Sequence, residues 1–268
     1  MQDEPKNPED ISGSIEGRLG KIAEPVAPAE VQTFEAGAEA LEVADKTDDA
    51  LKPGPVVIAG VEIPDPKAAL KNMEEAFGRL PACVRPDKKD MYFKSLPGNK
   101  VGESTEEGIG IDPIMLLHPA NRFAHVIAHE ATHKGLAVPN EGLVEAYLIG
   151  IGVTGSEKDG TKTTEKYDRA LADFSEFLNR ISGGGDPKAM AIEIYNLYYQ
   201  DKDGNGGDYH KILEIYRTRY VNGLDPAKQD QAIKFFWDIF PELEYDDKGQ
   251  TQAQSVYEVG ERQLARGR

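Results

Sequence analysis

The segment Ala124-His125-Val126-Ile127-Ala128-His129-Glu130-Ala131-Thr132-His133 contains His-Glu-x-x-His within a run that favours helix. A four-residue step returns to the same helical face, so the imidazoles of His129 and His133 are presented together. Such a pair can approach a zinc ion at about 2.0–2.1 Å, while Glu130 flanks the ion without having to bind it. Pro119 and Asn121 open this helix, and Gly135 closes it after His133 and Lys134.

The chemistry this pattern serves is hydrolysis by a metal-activated water. Zinc lowers the pKa of its bound water to about 7, which makes hydroxide available for attack on a carbonyl near neutral pH. Glu130 is the expected general base, taking the water's proton and delivering it to the departing amine. A catalytic zinc site normally has a third protein ligand and keeps its fourth position for water. Glu141 and Glu145 lie four apart on the next predicted helix, which Pro139 and Asn140 open and which runs towards Gly150. Both carboxylates can face one way, one towards the metal and the other towards a ligand imidazole; Glu141 is favoured as the ligand.

His129-Glu130-Ala131-Thr132-His133 followed by Asn140-Glu141-Gly142-Leu143-Val144-Glu145 resembles the gluzincin branch of the zincin metallopeptidases. The resemblance implies Zn2+ held by His129, His133 and Glu141, with Glu145 hydrogen-bonded to His129. It also implies a peptide or protein substrate and a zincin-like core, a small sheet backed by helices. Two features depart from the family pattern: Lys134-Gly135 follow the second histidine, and seven residues separate His133 from Glu141. A metzincin pattern is excluded, because Leu136 and Pro139 stand where that group has Gly and a third His. The alternative from another class is a non-catalytic, zinc-stabilised module that binds a peptide or protein.

Upstream, Val56–Ile63 reads as a strand ended by Pro64, and Asp65-Pro66 begins a helix carrying Ala68, Leu70, Met73, Phe77 and Leu80. Met91–Leu96 and Gly108–Leu117 read as strands, with a Gly-rich, acidic turn region between them. Residues 56–154 therefore form the expected α+β core. A polar loop at 154–164 leads to helices at 167–181, 187–199, 209–220 and 226–240, so 155–245 is a helical C-terminal subdomain and 246–268 a polar tail.

Residues 1–50 carry 13 acidic and 4 basic side chains. With so few large apolar residues, 1–55 reads as a disordered acidic tail, with a transient helix over 31–43. The formal charge of −16 argues against nucleic acid and anionic membrane partners. No window is apolar enough to span a bilayer, the N-terminus lacks a signal-peptide pattern, and the single cysteine needs no oxidising compartment, so a cytoplasmic location is expected.

Five other features read as structural. His125, four residues before His129, packs at the core edge, and His118 lies in a loop. Cys83 is a small buried residue. Asp201–Asp208 matches the first half of an EF-hand loop but places Ile212 where a bidentate Glu belongs, so it is a solvated turn. Tyr195, Tyr198 and Tyr199 form an aromatic stripe in the core, although the resembled family uses a tyrosine from a later helix to bind the oxyanion.

Overall fold

Aspartate followed by proline begins four helical segments by the same device. The side chains of Asp65, Asp112, Asp186 and Asp225 accept from the backbone N–H of Ala68, Ile114, Lys188 and Ala227. The proline of each pair occupies the first turn, where no N–H is needed. The computed structural model describes residues 31–46, 54–98, 100–134, 136, 140–153, 165–199, 207–240, 243–245 and 251–253. Across these residues the fold is mixed α and β, mostly helical with a small sheet.

The sheet has four strands in the order β1-β4-β6-β5: β1 (Val31–Thr33), β4 (Met91–Lys94), β6 (Ile109–Ile111) and β5 (Gly102–Ser104). β4 and β6 are parallel, with Met91 opposite Ile109 and Phe93 opposite Ile111, while β1 and β5 are antiparallel edges. Side chains alternate across a strand, so Met91, Phe93, Ile109 and Ile111 share one buried face. Helices α1 (Phe34–Lys46) and α3 (Ala120–Lys134) pack against the sheet, and α2 (Pro66–Arg79) packs against both. A separate hairpin, β2 (Val56–Ile58) and β3 (Val61–Ile63), turns through Ala59 and Gly60, both at positive φ.

The remaining helices form a second layer. α4 (Glu141–Gly150) packs against α5 (Glu165–Ser182) and α6 (Pro187–Tyr198), and α7 (Tyr209–Arg219) and α8 (Pro226–Ile239) pack on α5. Phe174, Phe177, Tyr216, Phe236 and Phe240 form a connected aromatic cluster between them. One hydrophobic core runs through both layers. Among the described residues no helix is long and apolar enough to cross a membrane.

Several elements differ from the sequence reading. Val31–Lys46 belongs to the fold rather than to a disordered tail: Phe34 and Leu41 are fully buried, and the Phe34 ring stacks on Phe93 at 4.8 Å. Phe34, Gly37 and Leu41 fall on one helical stripe, which the acidic average of the whole segment conceals. Gly37 lies so close to Phe93 that a Cβ there would sit 2.7 Å from the ring. The strand expected over 108–117 ends at Ile111, because the Asp112 carboxylate accepts from Leu96 and Ile114 N–H and starts a 3-10 turn, Pro113–Leu117. β5 lies inside the segment read as a turn region. In the C-terminal tail, β8 (Thr251–Ala253) pairs with β7 (Leu243–Tyr245). The expected loop at 154–164 lies outside the described residues.

Replacing Phe34 by Ala is expected to lower the unfolding free energy by about 3–5 kcal/mol. Denaturant titration checks this, and an unchanged midpoint would remove the N-terminal helix from the core.

Candidate metal site

α3 carries its apolar residues Phe123, Ala124, Ile127 and Ala128 into the core, which turns His125, His129 and His133 together along a neighbouring face. The last turn of a helix leaves carbonyls without intrahelical partners. Here the Tyr195 hydroxyl donates to the Thr132 carbonyl at 3.3 Å, and Leu136 N–H donates to the His133 carbonyl at 2.9 Å. Tyr195 is itself stacked on Tyr147 at 3.8 Å, so α4 and α6 together steady the end of α3 that bears His133.

The Asn140-Glu141-Gly142 sequence acquires a physical reading from α4. The Asn140 side-chain oxygen accepts from Leu143 N–H at 2.9 Å and caps the helix, while its amide donates to the Ile239 carbonyl at 3.2 Å. Gly142 sits against α5, where a Cβ would meet the Ala170 carbonyl oxygen at 2.6 Å. Only glycine allows this approach, and the approach brings Glu141 and Glu145 over α3.

The result is a triangle of donor atoms. His129 Nε2 and His133 Nε2 are 3.0 Å apart, and Glu141 Oε2 lies 3.2 Å from the first and 3.1 Å from the second. Four donors arranged tetrahedrally at about 2.0–2.1 Å from a zinc ion are separated by roughly 3.3–3.4 Å, close to these edges. Among the described residues no fourth His, Cys, Asp or Glu joins the group. These residues could hold a metal ion, and two imidazoles with a carboxylate suit zinc.

Glu145 serves the other side of His129. A carboxylate only accepts, so the 2.8 Å contact between His129 Nδ1 and Glu145 Oε1 means that Nδ1 carries the proton. In the neutral ring the lone pair is then on Nε2, facing the triangle. His125, His129 and Glu145 form a second potential metal-binding group. His129 Nδ1 is already engaged as a donor there, so the geometry favours the Glu141 group.

Electrostatics point the same way. Burial presses the His129 pKa down, but hydrogen bonds to Glu141 and Glu145 outweigh it and raise the value to about 10. Glu141 and Glu145 are opposed by burial yet held below the ordinary carboxylate range by the histidines beside them. The site without metal therefore keeps a proton where a cation would bind.

Glu130 is treated differently. Burial raises its carboxyl pKa, and the nearby charge of His129 and His133 only partly opposes this. Its side chain lies against Gly102 of β5, where a Cβ would sit 2.7 Å from both Cγ and Oε1. The sequence reading missed Gly102, since an isolated glycine in a turn-like stretch carries no signal of the helix facing it.

Other expectations fare unevenly. Tyr195 and Tyr198 are buried, whereas Tyr199 is exposed. Cys83 is exposed rather than buried, because the turn Ala82–Val84 presents it outward. His118 ends the 3-10 turn with Nδ1 3.2 Å from Arg122 Nη1. Lys134 lies 3.8 Å from Asp90. Asp208 caps α7 and Ile212 is buried; positions 201–206 of the EF-hand-like stretch, and Gly135 and Pro139, lie outside the described residues.

Compared with known proteins, the chain matches no family model, no curated protein and no solved structure.

Zinc binding near pH 7.5 is expected to release about one proton, because His129 must surrender the proton it holds without metal. Calorimetry in buffers of different ionisation enthalpy measures this, and release should diminish towards pH 10. Binding without proton release would contradict the charge arrangement described.

Proposed function

We propose that the chain is a zinc-dependent metallopeptidase of gluzincin type. The observation that carries this reading is the triangle of His129, His133 and Glu141, whose charges act on the carboxyl of Glu130. Two further points support it: the small sheet lies against α3 through β5 and β6, as the family resemblance implies, and Glu145 meets His129 where that resemblance expects it.

His129, His133 and Glu141 would hold zinc. When bound, zinc supplies Lewis acidity, which acidifies a water ligand and polarises a peptide carbonyl. Glu130 accepts the water's proton and passes it to the departing amine. Its burial favours the protonated form, which helps the second half of that exchange; the cationic neighbours favour the carboxylate, which helps the first. Glu145 fixes the tautomer and the ring plane of His129.

A purely structural zinc site is normally closed by four protein ligands. The three-member group among the described residues favours the catalytic reading over a zinc-stapled binding module.

Glu130→Gln is expected to retain zinc and to reduce cleavage of a randomised library of internally quenched peptides by at least about 100-fold. Wild-type cleavage rates in that variant, or no cleavage by the zinc-loaded wild type, would overturn the reading. Gly102→Ala is expected to leave zinc content near one per chain and to slow cleavage by about tenfold or more, since the methyl group displaces Glu130. Elemental analysis beside the same peptide assay checks it.

A further inference from the structure

We propose that His125 is a positioning residue for this site, anchoring Glu145 and through it the ring of His129. The inference rests on the reading of His129, His133 and Glu141 as a zinc site and extends it to a histidine outside the ligand set.

His125 Nε2 lies 3.3 Å from Glu145 Oε1, the same oxygen that meets His129 Nδ1 at 2.8 Å. The other ring nitrogen, His125 Nδ1, is buried with no hydrogen-bond partner among the described residues. These facts select a tautomer. A proton on Nδ1 would bury an unpaired N–H and set the Nε2 lone pair against a carboxylate. A proton on Nε2 instead faces the Glu145 carboxylate and leaves only a lone pair unpaired.

Glu145 Oε1 therefore meets two histidines one helical turn apart on α3, His129 through a hydrogen bond and His125 through an ion-pair contact. A carboxylate held by a single hydrogen bond can swing about its last torsion; one oxygen met from two directions cannot do so without losing one of its contacts. The side chain of Glu145 is only 17% exposed, so water is poorly placed to replace either donor. Glu145 shares α4 with Glu141, so the same contact also fixes α4 against α3 at the spacing the triangle requires. His125, His129 and His133 thus divide their work along one face: the last two supply Nε2 to the ion, and the first secures the carboxylate that orients its neighbour.

The test is zinc affinity, measured by competition with a chromogenic chelator, in the full chain. His125→Leu is expected to weaken binding by about tenfold, at the low end for partners that orient a ligand. His125→Gln, which keeps an amide donor near the Nε2 position, should stay within about threefold of wild type. In a Glu145→Ala background His125→Leu should have no further effect, which a general packing defect would not reproduce. If His125→Leu does not fold, His125→Asn, whose amide falls short of Glu145, takes its place with the same expectation.

One zinc per wild-type chain together with undiminished affinity in His125→Leu would overturn the positioning role alone. So would an equal loss in the Glu145→Ala background, or two zinc ions per chain, since His125 and Glu145 would then be ligands themselves. No zinc in the wild type would overturn both this proposal and the metallopeptidase reading.

Discussion

Asn140 closes the first turn of α4 with its side-chain oxygen and reaches the Ile239 carbonyl with its amide, while two residues on Gly142 lets α5 come within contact of the helix backbone. These contacts settle where α4 starts and how closely it lies in the helical layer. Its first turn projects Glu141 and its second projects Glu145, and both meet histidines of α3. Were α4 to begin one residue later, its side chains would turn by about 100° and both carboxylates would leave the face of α3. The candidate metal site is thus a junction between two layers, with the histidines on the sheet side and the carboxylates on the helical side.

Burying this many ionisable groups together is costly unless their charges compensate. Glu141 and Glu145 stand within ion-pair distance of His125, His129 and His133. The raised value of His129 and the lowered values of Glu141 and Glu145 express one fact: the pocket favours positive charge at its centre. A divalent cation with an affinity for imidazole would answer that preference more fully than a proton does.

The site was more legible in the sequence than the fold was. His129, Glu130 and His133 follow from helical spacing, and Asn140, Glu141 and Glu145 from a cap and a second four-residue step; the structure brings His129, His133, Glu141 and Glu145 together at hydrogen-bonding distances and sets Glu130 against Gly102. His125 satisfied the same spacing, but its partner lies across a helix interface, which no local pattern reveals. β5 escaped notice because Gly102-Glu103-Ser104 has little strand propensity and is a strand only through its pairing with β6. The N-terminal helix was hidden for a related reason: its few apolar residues are spaced for burial, but the partner that buries Phe34 is Phe93, far along the chain.

The hydrogen bond from Asn140 to Ile239 spans 99 positions. A ribosome adding about 5–20 residues per second needs roughly 5–20 s to cover that interval. The histidines and carboxylates of the site are therefore made well before the carbonyl that holds the cap of α4 in place. Maturation of the site is tied to the arrival of α8, so a nascent chain carries the site's side chains for many seconds before it has the scaffold that fixes them.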